Sequence, residues 1–225
     1  MKMIGETVFD IAYLVLALGL GVWLLRKAQN RPQRLIGAVA LLLGGGDTFH
    51  LVPRIASYFT ARDLTAALGF GKLVTSVTMT FFYIGLYYIW LAVYQEKPRR
   101  GLTVTVWALA AVRTGLCLLP QNRWLTDDGA LLWGILRNVP FVLLGGLIVV
   151  LFARRRKAYR PFRLVWLYVT LSFLFYLPVV VGADAVPMLG MLMLPKTVCY
   201  ILIISTFKKA VQDGGTPAPD EERRR

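Results

Sequence analysis

The sequence predicts an all-α polytopic membrane protein: a bundle of seven transmembrane helices, N-terminus outside and C-terminus cytoplasmic. Three observations predict it: the apolar content, its division into seven blocks, and the sidedness of the basic residues. Apolar residues make up 57% of the 225, and mean hydropathy is +0.59, against about 45–50% apolar residues in soluble globular chains. A helix needs about 20 mostly apolar residues to cross a hydrocarbon core of roughly 30 Å. Seven such blocks can be cut: Thr7 to Leu25, Leu35 to Val52, Thr65 to Tyr94, Leu102 to Leu119, Ala130 to Phe152, Leu164 to Gly182 and Pro187 to Phe207. The connectors, such as Arg26 to Arg34 and Glu96 to Arg100, are too short for a separate soluble domain. One membrane domain is expected over residues 1–211, followed by a disordered cytoplasmic tail over 212–225 that holds Gly214, Gly215, Pro217 and Pro219.

The net charge of +14 acquires meaning once the charges are assigned to membrane sides. With the N-terminus outside, the inner segments hold Arg26, Lys27, Arg31, Arg34, Lys97, Arg99, Arg100, Arg154, Arg155, Arg156, Lys157, Arg160, Arg163, Lys208, Lys209, Arg223, Arg224 and Arg225. The outer segments hold only Lys2, Arg54, Arg62 and Arg123. This obeys the positive-inside rule for a multi-pass protein of the plasma membrane, and a missed or invented helix would destroy it. The basic total is thereby explained without nucleic acid as a partner. Arg26 and Lys27 follow the first apolar run rather than precede it, so that run is read as a retained helix, not a signal peptide. Trp23, Trp90, Tyr94, Trp124 and Trp133 suit either interfacial belts or ordinary packing.

Cys117 and Cys199 fall at different depths, which argues against a bridge. One histidine in the chain leaves no set of zinc ligands. Phosphate-loop, nucleophile-elbow and dinucleotide signatures are absent, so no metal and no cofactor are expected. Gly44, Gly45 and Gly46 predict close helix contact or a local unwinding.

Ionisable residues inside spans are costly, and they are expected to face one another, water or a ligand. Asp47, His50 and Arg54 share one stripe of the second helix, within about 60° of arc. Lys72, Ser76, Tyr83 and Tyr87 share one of the third, flanked by Thr75 and Thr80. Arg113, Arg137 and Lys196 occupy the fourth, fifth and seventh. Topology places all of these basic residues in the outer half of the bilayer or near its middle, together with Asp10 and Asp184, while the inner halves of the spans hold no ionisable residue. Such a lysine or arginine can snorkel to the headgroups, and Asp47 can pair with Lys72 or Arg113 as a structural lock. The alternative is a ligand site. Arg54, Lys72, Arg113, Arg137 and Lys196 outnumber Asp10, Asp47 and Asp184, and a positive surplus in a low-dielectric site attracts an anion.

The expected ligand-binding set is therefore Asp47, His50, Arg54, Lys72, Arg113, Arg137 and Lys196, supported by Ser76, Tyr83 and Tyr176. The expected partners are membrane lipids and an anionic small molecule or lipid phosphate headgroup. Pro53, Pro140, Pro178 and Pro195 would free backbone carbonyls near such a cavity.

The stretch Gly44-Gly45-Gly46-Asp47-Thr48-Phe49-His50-Leu51-Val52-Pro53-Arg54 resembles a motif of uncharacterised bacterial membrane proteins, a likeness that implies no activity. Seven helices, an outer N-terminus and Lys196 in the last span resemble the layout of microbial rhodopsins, as do Phe175, Tyr176, Leu177 and Pro178. In that family the lysine carries retinal. The third helix here has no carboxylate to act as counter-ion, and Leu192 stands where an aspartate would precede the lysine by four residues, so the resemblance extends to layout only. Three functions stay open: a binder or transporter of an anionic solute or headgroup, a sensor acting through a partner, and an intramembrane enzyme with His50 as base and Asp47 as its orienter.

Overall fold

The computed structural model describes residues 2–126, 131–183 and 185–214. These form α1 (Lys2–Lys27), α2 (Arg31–Ser57), α3 (Thr65–Val93), α4 (Arg100–Leu118), α5 (Leu131–Arg154), α6 (Val165–Gly182) and α7 (Met193–Gln212). A 3-10 stretch, Pro187–Leu192, leads into α7. Seven stretches are long and apolar enough to cross a membrane, and they carry the seven apolar blocks of the sequence, with ends shifted by a few residues. The tail expected from residue 212 lies largely outside the described residues, although Gln212 itself closes α7.

Local chemistry sets several boundaries. Asn30 caps α2 by accepting from the Gln33 backbone amide at 3.0 Å, and Gln33 Oε1 accepts from the backbone amide of Gln29, one residue before the cap, at 2.6 Å, next to Pro32 in the first turn. After α3, Gln95 turns the chain at φ 52°. Pro53, Pro140 and Pro178 lie inside helices. Pro195 instead stands in the first turn of α7, where its missing N–H removes no intrahelical bond.

The helices pack as sequential neighbours, and α7 closes the ring by touching α1 and α2 as well as α6. Because lipid tails are as apolar as leucine, this association depends on close packing and polar contacts rather than on hydrophobic transfer. The glycines make the packing close. A Cβ on Gly44 would meet Ala17 and Leu18 of α1, one on Gly46 would meet Thr78 of α3, and one on Gly71 would meet the backbone of Phe49 and His50. Gly45, between the first two, faces open space. The glycine run is thus a contact device for α1 and α3 within an unbroken helix.

α3 is the most buried helix, with Phe82, Tyr83, Leu86, Tyr87 and Ile89 fully enclosed. Trp90 and Tyr94 are also buried, so here packing outweighs a place in an interfacial belt. Let the upper end be the one at which α1 begins. At the lower end two side chains satisfy carbonyls in the last turn of α7, Gln33 Nε2 donating to Val211 at 3.1 Å and the Tyr159 hydroxyl to Ala210 at 3.2 Å, and Asn30 Nδ2 donates to Gly214, two residues past the helix, at 3.0 Å. Cys117 and Cys199 are buried free thiols.

Candidate functional site: a cationic cavity at the upper end

A cavity of about 360 Å³ opens among α2 to α7 in the upper half of the bundle. Its wall holds His50 of α2, Lys72, Thr75 and Ser76 of α3, Arg113 of α4, and Arg137, Asn138 and Phe141 of α5. Tyr176 of α6, Lys196 of α7 and the segment Asn122, Arg123 and Trp124 between α4 and α5 complete it. Five lysine and arginine side chains therefore line the space, and no aspartate or glutamate among the described residues does.

The basic groups rest on aromatic faces instead of carboxylates. The Arg113 guanidinium carbon stands 3.1 Å from the ring centre of Phe141, that of Arg137 stands 4.3 Å from Trp124, and Lys196 Nζ stands 4.7 Å from Tyr176 and 5.4 Å from Tyr200. A π face orients a cation and attracts it, yet it carries no net charge and leaves the positive charge uncancelled. Among the described residues the cation–carboxylate contacts within 4 Å are Arg54 with Glu6 and Asp10, and Arg155 with Glu96. None involves Lys72, Arg113, Arg137 or Lys196. Arg113 is 2% exposed, and its Nε and Nη1 have no hydrogen-bond partner.

Neutral polar groups fix the rest of the wall. Asn122 Nδ2 donates to the carbonyls of Leu116, Cys117 and Leu119 at 2.6, 3.3 and 2.9 Å, tying the segment to the end of α4. That leaves Asn122 Oδ1 to accept from Arg137 Nη1 at 2.7 Å. Trp124 Nε1 donates to the Cys117 carbonyl at 2.7 Å, and the Trp124 backbone lies so close to α3 that only glycine fits at position 69. The Tyr176 hydroxyl donates to Asn138 Oδ1 at 2.9 Å, while Asn138 Nδ2 donates to Gly134 at 2.8 Å. Thr75 Oγ1 donates to the Gly46 carbonyl at 3.1 Å, and Ser76 Oγ to that of Lys72 at 2.8 Å.

Of the residues expected from sequence, the structure brings His50, Lys72, Arg113, Arg137, Lys196, Ser76 and Tyr176 to one cavity. It does not bring Asp47, Arg54 or Tyr83 into the lining. Asp47 Oδ2 accepts from the Tyr13 hydroxyl of α1 at 2.5 Å. Arg54 Nη2 donates to Glu6 Oε2 at 3.1 Å, an oxygen that also accepts from the Tyr58 hydroxyl at 2.7 Å. The stripe on α2 divides because Asp47 and Arg54 lie within about 20° of each other, whereas His50 lies about 60° from Asp47; the first two face α1 and His50 faces α3. Tyr83 is fully buried below the cavity, 5.0 Å from Phe141 and 5.6 Å from Phe173. Asp47 meets the site only through its field, which reaches Lys196. Asp184 lies outside the described residues.

Sequence reasoning missed Asn122, Arg123 and Asn138. Asn138, a polar residue within an apolar span next to Arg137, carried a usable signal; the connector residues carried none beyond their charge or polarity. The pairing of His50 with Asp47 expected for an enzyme is not formed, since Asp47 bonds Tyr13 and His50 Nδ1 has no hydrogen-bond partner. The described residues hold no group of three or more His, Cys, Asp or Glu able to bind a metal ion. Searches of protein-family models, of curated proteins and of solved structures each found no match to this chain.

Proposed function

We propose that this protein binds a small anion, a carboxylate or phosphate carried by a solute or a lipid headgroup, in the upper cavity, as a binding or transport protein of the plasma membrane. One observation carries the reading: Arg113 is buried beside the cavity with Nε and Nη1 unpaired, and its four cationic neighbours lack a carboxylate within 4 Å. A buried charge without a partner costs several kcal/mol. An anion entering the cavity would supply the missing partner to several cations at once, with guanidinium groups offering paired donors. A volume of about 360 Å³ lies at the small end of the range for metabolite pockets. The basic connectors at the lower end orient the chain with that end in the cytoplasm, so the cavity faces the outer leaflet.

The test is a titration of purified protein in detergent with inorganic phosphate, with acetate, and with short-chain phosphatidate, read by thermal shift and calorimetry. Saturable binding of at least one is expected, and the phosphate and phosphatidate arms separate a free anion from a headgroup. Lys72→Met, Arg113→Gln and Lys196→Met are each expected to weaken it about ten- to hundredfold, the loss of one charge-assisted hydrogen bond. Lys72 is exposed, so its variant keeps the test valid if Arg113→Gln fails to fold. Absence of saturable binding, or binding indifferent to all three substitutions, overturns the reading.

A further inference from the structure

The larger cavity lies at the lower end and shares no residue with the upper one. It measures about 630 Å³ and opens between the start of α4 and the end of α5, over Trp90 of α3. Its wall is apolar along α5, where Leu147, Val150 and Leu151 face Leu102 of α4. Gly146 forms its far end: nothing lies within 4 Å of the position a Cβ would take, and both Gly146 and Val150 are exposed, so the groove opens sideways. The gap is not loose packing, because Trp90 Nε1 donates to the Leu151 carbonyl at 3.1 Å and ties α3 to α5 beneath it.

The rim is basic. Arg155 is matched by Glu96, but Lys97, Arg99 and Arg154 are exposed and have no carboxylate within 4 Å among the described residues. Charge thus sits at one end of the groove and hydrocarbon along its length. Eight residues of α5 separate Arg154 from Gly146, about 12 Å of helix axis.

We propose that this groove holds one anionic glycerophospholipid, its phosphate against Lys97, Arg99 and Arg154 and one acyl chain along α5 as far as Gly146. The order of charge and hydrocarbon is that of an amphiphile. A free anion would leave the apolar length empty, whereas a zwitterionic lipid would bring a cation to a rim already positive. Basic pockets between transmembrane helices are the sites where acidic headgroups bind.

The experiment is native mass spectrometry of the full chain after exchange into mixed micelles with equal phosphatidylglycerol and phosphatidylcholine of one acyl composition. The wild type is expected to retain one phosphatidylglycerol in preference to phosphatidylcholine. Lys97→Gln, Arg99→Gln and Arg154→Gln, all at exposed positions, are each expected to lower that preference about fivefold. Gly146→Phe, which fills the cleft without altering charge, is expected to lower retention of both lipids. Arg62→Gln, at an exposed basic residue of the upper end, is expected to change nothing. Equal retention of the two lipids, indifference to the rim substitutions, an equal effect of Arg62→Gln, or displacement of the lipid by millimolar inorganic phosphate overturns the proposal.

Discussion

Arg113 rests on Phe141 with 3.1 Å between guanidinium carbon and ring centre, a buried cation backed by a π face where a carboxylate would ordinarily stand. A desolvated contact of this kind contributes about 2 kcal/mol, less than the several kcal/mol that burying an unpaired charge costs. A double-mutant cycle on Arg113→Met and Phe141→Leu is therefore expected to give a coupling energy of about 2 kcal/mol in thermal or denaturant unfolding. Additive single effects would show that the two residues are merely adjacent.

Gly71 and Gly45 make opposite predictions although both are glycines inside helices. Gly71→Ala drives a methyl group into the backbone of Phe49 and His50, which cannot rotate away, so a loss of about 1–3 kcal/mol in unfolding free energy is expected. Gly45→Ala meets open space and is expected to be neutral or to stabilise by up to about 1 kcal/mol through helix propensity. Similar midpoints for the two variants would contradict the packing of α2 on α3.

The hydroxyl of Tyr13 is the hydrogen-bond donor to Asp47 from α1. Tyr13→Phe is expected to cost about 1.5–3 kcal/mol, the value of a bond to a charged acceptor, while leaving phosphate affinity at the upper cavity unchanged, since Tyr13 does not line it. Loss of affinity with unchanged stability would reverse these roles.

Sidedness is testable by fusion. A reporter after Arg225 is expected to behave as cytoplasmic and one at Asp127 as external, as the basic connectors require. Both reporters on one side would end the seven-span topology.

The seven spans were legible because hydrocarbon thickness and apolar block length are tied together. Lys72, Arg113, Arg137 and Lys196 were legible as a group because topology alone gives depth. What topology could not give was azimuth. Asp47 and His50 share a stripe of α2 in projection, yet the close approach of α1 on one side and α3 on the other sends them to different partners. Counting Asp10 and Asp47 as acids of the cavity therefore understated its positive surplus. The connector from Leu119 to Thr126 was illegible for another reason. Its course depends on the three bonds of Asn122 and on Arg123 at φ 48°, a geometry that no periodicity announces.

The three side chains that tether the lower end of α7, at Ala210, Val211 and Gly214 just past it, would make that end the pivot of any tilt of the helix. Fifteen residues separate Val211 from Lys196, about 22 Å of axis, so a tilt of about 10° at the pivot carries Lys196 about 4 Å. The same tilt scarcely displaces Val211. Asn30 and Tyr159 come from the connectors ahead of α2 and α6 and Gln33 from the first turn of α2, so trimming any one of them would loosen the pivot without touching the cavity wall. A helix tethered in this way would be displaced most where the ligand would sit and least at the opposite face of the membrane.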